Sequence, residues 1–127
     1  MTKLSEYRNV ANFDNTKFEP MGIFAEPDAK IQWHNVSFDE ETGYGSYLMI
    51  MAPGARSNLH RHEGAEEFFV LCGDLEDCDG HTYRSGDFVR LSKGSAHSSV
   101  SSSGCKLVVI HWGKTKDLSS REKDASS

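Results

Sequence analysis

The chain has 127 residues, 37% of them hydrophobic, and carries a formal net charge of -5 with a pI near 5.6. That length suits one compact domain, spanning 1–127, that buries most of its apolar surface without disulfide staples. The acidic balance and the lack of a Lys/Arg cluster exclude nucleic acid and anionic membrane as main partners, leaving small molecules and proteins.

At the N-terminus, MTKLSEYRNVANFDNTKF carries charges and no apolar core of signal-peptide length, and no later run approaches a membrane span, so a cytoplasmic protein is expected. Within it LSEYRNVANF is a weak helical candidate in an N-terminal extension. From about Lys30 to Gly113, short runs rich in Val, Ile, Phe, Tyr and Leu alternate with Gly, Ser, Asn and Asp, the pattern of many short strands and an all-β core. The predicted strands in order are IQWHNVSF, YGSYLMIMA, SNLHRH, EEFFVLCGDLED, HTYR, DFVRLS, AHSSV and CKLVVIHW, with a tight Asp79-Gly80 hairpin between the fourth and fifth. The charged, Ser-rich KDLSSREKDASS has the composition of a flexible tail. Strands of this kind close into a barrel or a jelly roll, which hides their edges and leaves a cavity open at one end.

His60-Arg61-His62 places two imidazoles on one face of a strand, and a turn through Glu63-Gly64-Ala65 returns the chain with Glu66, Phe68 and Val70 facing the same interior. His97, after a turn at Gly94, supplies a third imidazole from the opposite wall. Three histidines and one carboxylate suit one divalent metal ion, Fe, Zn, Mn or Ni among them, with no means in the sequence of choosing.

Cys72, Cys78 and Cys105 lack CxxC spacing and read as reduced thiols without a catalytic role. Cys72 and Cys105 are expected to be buried small hydrophobes, and Cys78 to sit near the turn. Tyr47, Met49 and Met51 share a strand face and, with Phe68, Val70 and Trp112, are expected to line an apolar cavity. His111 is either a proton shuttle in the pocket or a hydrogen-bonded wall residue, and the wall reading is preferred. His34 and His81 receive no role, Arg61 is expected to point outward between the two histidines, and Arg90 is unassigned.

The spacing Gly54-x5-His60-x-His62-x3-Glu66-x6-Gly73 resembles the first motif of the cupin superfamily at every fixed position. The second motif is met at Gly86, Gly94 and His97, with Ser92 where proline is usual and Ser101 where asparagine is usual. Glu67 satisfies the longer family spacing after His62, but only Glu66 keeps the gap to Gly73, and a one-residue shift turns the side chain to the opposite face. More narrowly, the segments APGARSNLHRHEGAEEFFVLCGDLEDCDG and GDFVRLSKGSAHSS resemble ChrR-like cupins, named for the metal-binding half of a zinc-dependent anti-sigma factor.

The resemblance implies a double-stranded β-helix, metal ligation by His60, His62, Glu66 and His97, and a homodimer. It also implies three functional classes: a metal-dependent enzyme of dioxygenase type on a small carbonyl or phenolic compound, a zinc-binding sensor or regulatory module without catalysis, and an isomerase or lyase using the metal as a Lewis acid. The N-terminal part is too short, and lacks the His/Cys pattern, for a sigma-binding domain.

Overall fold

The computed structural model describes residues 3–119. Among them the strands are β1 (Glu19–Pro20), β2 (Ile31–Asn35), β3 (Tyr44–Met51), β4 (Ala55–Arg56), β5 (His60–His62) and β6 (Glu66–Asp77). They continue with β7 (Thr82–Arg84), β8 (Phe88–Leu91), β9 (Ala96–His97), β10 (Ser99–Ser101), β11 (Cys105–Trp112) and β12 (Thr115–Asp117). All pairings are antiparallel: β1-β2-β3-β11-β6-β10-β4 form one curled sheet, with β7 and β8 also on β6, while β12-β5-β9 form a second. The all-β jelly roll expected from the strand pattern is therefore the observed architecture.

Period-two alternation explains which faces meet. Cys105, Leu107, Val109 and His111 of β11 are all buried, and they pack with Ile31, Tyr47, Met51 and Phe68 in one core. Removing side chains such as Phe68 and Leu107 from water stabilises the fold by about 1.5–3 kcal/mol each.

β6 organises the rest, because it pairs with β11 and β8 along its first half and with β10 and β7 along its second. Its register against β11 skips Leu71: Leu107 faces Val70, whereas Lys106 faces Cys72. This extra residue is a β-bulge, and it flips the alternation, so that Glu66, Phe68 and Val70 face inward before it and Leu75 and Asp77 after it. Gly73 completes the bend at φ 87, where a Cβ would lie 2.0 Å from the Gly104 carbonyl oxygen.

Several sequence expectations change. Cys72 is exposed, because the bulge moves it out of the inward phase. Cys105 is buried as expected, and burial pushes its thiol up to about 11; Cys78 is exposed beside the Asp79-Gly80 turn. The helical candidate contains only a 3-10 turn at Leu4–Glu6, since Leu4, Tyr7 and Val10 find no apolar surface to pack against and remain exposed. SNLHRH forms strand only at its last three residues, and AHSSV breaks at Ser98, sending β9 to β5 and β10 to β4 and β6. The tail expectation falls mostly on residues 120–127, outside the described residues. No helix among those described is long and apolar enough to cross a membrane.

Between β1 and β2, residues 22–30 form a loop without regular structure, and Phe24 in it faces the interior. Phe24 and Lys30 have φ of 61 and 62 in this loop, a left-handed conformation that costs a bulky residue about 1–3 kcal/mol.

Replacing Gly80, whose φ is 89 but whose Cβ direction is open, should cost about 1 kcal/mol as Gly80→Ala, while Gly73→Ala adds a backbone clash and should cost at least about 1 kcal/mol more. Denaturant midpoints compare the two, and equal midpoints would show that the β6 bend does not need glycine.

Candidate metal centre

β5 and β9 pair so that His60 lies opposite His97, while β5 alternation sends His60 and His62 inward on either side of Arg61. Arg61 is only partly buried, on the outer side of that strand as expected. The ring centroids of His60, His62 and His97 lie 4.6–5.0 Å apart. Glu66, the first residue of β6, brings its carboxylate to the same point, and one ligand atom from each of the four residues lies within 4.8 Å of the others. All four are buried. Glu67 points to the outer face, where it accepts a hydrogen bond from Trp112 Nε1 at 2.7 Å and lies 3.7 Å from Arg90.

Each imidazole is fixed by its Nδ1. His60 Nδ1 donates to the Asn58 carbonyl at 2.7 Å, and His97 Nδ1 donates to Asp77 Oδ1 at 2.8 Å. His62 Nδ1 lies 2.9 Å from Ser95 Oγ, whose own O–H donates to the Ser92 carbonyl, so the ring nitrogen is the donor there too. With the Nδ1 proton accounted for on all three rings, each neutral ring presents an Nε2 lone pair. His62 Nε2 and His97 Nε2 are buried with no hydrogen-bond partner among the described residues; His62 Nε2 is 2.9 Å from Glu66 Oε2 without hydrogen-bond alignment. Two orphaned buried nitrogens in a His3Glu donor set fit a divalent first-row ion, because orientation of a ligating imidazole through its other nitrogen is how proteins hold such ions.

Electrostatics agree with that fit. Burial drives the His60 pKa down to about 4, keeping the ring neutral near pH 7. Burial alone would raise Glu66, but His62 and His111, when they carry a proton toward it, outweigh burial and hold the carboxyl down at about 2; a cation at the same point would do likewise. For Asp77 the same contest is won by hydrogen bonds from His97, Ser99 and Tyr83, which hold it below the usual carboxylate range. Burial would depress His97, yet Asp77 raises it, so a metal arriving there competes with a proton.

Asp77 had no signal in the sequence: it faces inward only because of the β6 bulge, and Ser99 Oγ and Tyr83 Oη donate to it at 2.6 and 2.5 Å. Tyr47 was expected as apolar lining but also hydrogen-bonds His111 Nε2 through its hydroxyl at 2.9 Å. His111, in the buried wall as preferred, stands 3.7 Å from Glu66. Met49, Met51 and Phe68 line a cavity of about 40 Å³ beside His60, Glu66 and His97. Val70 is buried behind it, and Trp112 is 48% exposed on the outer sheet face, which corrects its assignment to the cavity. His34 is partly buried near Phe18 and His81 is exposed against Tyr83; neither joins the cluster.

The ChrR cupin-like domain model matches residues 8–115. The chain belongs to the ChrR cupin-like family. No curated protein matches the sequence. Among solved structures, an acetylacetone dioxygenase from Acinetobacter johnsonii superposes with a TM-score of 0.67 at 18% identity, covering 87% of this chain and 74% of that one. The polyketide cyclase RemF from Streptomyces resistomycificus gives 0.68 at 17% identity, with 87% and 85% covered. The Rhodobacter sphaeroides SigE complex with the anti-sigma ChrR gives 0.61 at 17% identity, covering 84% of this cupin and only 51% of that chain. At such identities these neighbours show the cupin fold alone.

His60→Ala, His62→Ala and His97→Ala should each abolish stoichiometric metal in elemental analysis, whereas His34→Ala and His81→Ala should retain it; full occupancy in His97→Ala would refute the proposed cradle. Asp77→Asn, which removes the charge behind His97 but keeps an acceptor, should weaken metal affinity by roughly 10–100-fold in chelator competition. Unchanged affinity would mean that Asp77 only supports the strands.

Proposed function

We propose that this cupin is a metal-dependent enzyme of dioxygenase type acting on a small, uncharged organic compound. The observation that carries the reading is the convergence of His60, His62, His97 and Glu66, with every Nδ1 fixed from behind, where His60, His97 and Glu66 line a cavity walled by methionine and phenylalanine. His60, His62, Glu66 and His97 would hold a divalent ion, which would supply Lewis acidity and, as iron, redox chemistry.

The chain's own residues account for the rest. Asn58, Ser95 and Asp77 orient the three rings, so that little reorganisation accompanies binding. Glu66 stays ionised and lowers the charge of the centre. The apolar wall excludes bulk water and disfavours charged ligands. Support also comes from the acetylacetone dioxygenase among the fold neighbours, whose substrate is a small diketone.

A second reading, a closed zinc-binding sensor, is favoured by the small cavity and by the ChrR-like family match. Elemental analysis of protein purified without added metal or chelator, paired with oxygen uptake on a panel of small diketones and phenols, separates the two. The enzyme reading expects near-stoichiometric iron and substrate-dependent uptake. Tightly held zinc with no uptake would overturn it in favour of the sensor.

A further inference from the structure

The cavity beside the four converging side chains measures about 40 Å³, enough for a few water-sized molecules and too small for an organic substrate of several heavy atoms. A second depression of about 220 Å³ opens on the surface, and Phe24 lines both. Its ring stands 5.9 Å from that of His60 and 5.7 Å from that of His111, with Phe38, which also lines the outer cleft, 6.2 Å away. The Phe24 ring therefore borders both the outer cleft and the inner cavity.

We propose that Phe24 is an access gate: residues 22–30 swing its ring outward and admit a small, uncharged, heteroatom-bearing organic ligand from the outer cleft to the metal centre. The gate rests on the metal-enzyme reading above. The backbone is suited to the motion. Phe24 sits at φ 61, a conformation its side chain disfavours, and Lys30 at the far end of the loop sits at φ 62. At the near end, a Cβ on Gly22 would meet nothing within 4 Å. The closed position is held by the Asn58 N–H donating to the Phe24 carbonyl at 2.9 Å, while the Asn58 carbonyl accepts from His60 Nδ1. The peptide groups of one residue thus join the gate to a presumed metal ligand. The two spaces together set the ligand class: Ile23 and Phe38 give the outer cleft apolar walls, its Glu40 and Glu41, against a lone Lys114 among its lining residues, repel anions, and the methionine and phenylalanine lining of the inner cavity disfavours charge of either sign.

The test uses the full chain loaded with Co2+ and follows the visible ligand-field spectrum on rapid mixing with imidazole, for wild type, Phe24→Gly and Phe24→Trp. Glycine suits the backbone at φ 61, so the first variant removes the ring without adding strain. If the open state is populated at or below about 10%, Phe24→Gly should bind imidazole at least about tenfold faster than wild type and Phe24→Trp more slowly. Diatomic nitric oxide should bind all three at similar rates. Bound Co2+ with equal imidazole rates in the three proteins, or with no imidazole adduct in any, would overturn the gate alone. Failure of the wild type to take up Co2+ would overturn the metal reading and the gate together.

Discussion

One extra residue in β6 governs the chemistry of the interior. A regular strand from Glu66 to Asp77 would place these two carboxylates on opposite faces, since eleven steps of strict alternation separate them. The bulge at Leu71 adds a half-period, and both face inward. The first then meets His62 in the cluster, and the second lies behind His97. Gly73 makes the flip sterically feasible by letting the chain pass against Gly104. The candidate centre and its support are therefore two ends of one strand, and the bend that separates them also hands β6 from β11 and β8 to β10 and β7.

Burying ionisable groups beside Phe68 and Met51 costs several kcal/mol per charge unless partners compensate. Asp77 is compensated fully within the chain, by His97, Ser99 and Tyr83. Glu66 is not served in the same way: its nearest contacts are imidazole edges at 2.9 and 3.7 Å, and the closer of them lacks hydrogen-bond alignment. The two carboxylates have thus been given different tasks by their surroundings. Asp77 is a finished structural anion, whereas Glu66 and the Nε2 atoms around it form a donor set whose balance is best met by a cation.

Much of this was legible in the sequence, because it depends on local spacing. HRH on a strand, Glu66 after a short turn, and His97 after Gly94 needed only period-two alternation and turn residues to be read as converging. The strands β6 and β11 themselves followed from runs of Val, Ile, Phe and Leu, though their place side by side in the sheet did not. What alternation could not supply was any feature created by breaking it. The bulge turned Cys72 outward and Asp77 inward against the simple period, and the corner at Ser98 split one apparent strand between two sheets. Trp112 follows β11 alternation but sits on its outer face, next in sequence to the inward His111. Phe24 lay in the segment before Lys30 that composition marked only as an extension; its role depends on a left-handed backbone that nothing in the local sequence demands.

The ligand set and the access route are consequently separable properties of this fold. Glu66 and Asp77 sit on β6, whose register is fixed by a long ladder with β11, while His60, His62 and His97 sit on the short β5 and β9, tied together by the His60–His97 pairing and oriented by Asn58, Ser95 and Asp77. Beside them lies a loop with two residues in left-handed backbone, held by backbone hydrogen bonds from Asn58 to Phe24, from Ala29 to Glu26 and from Ala52 to Lys30. On the proposed gate, what reaches the candidate centre depends on the loop that carries Phe24, whose ring lies 5.9 Å from that of His60 and 5.7 Å from that of His111.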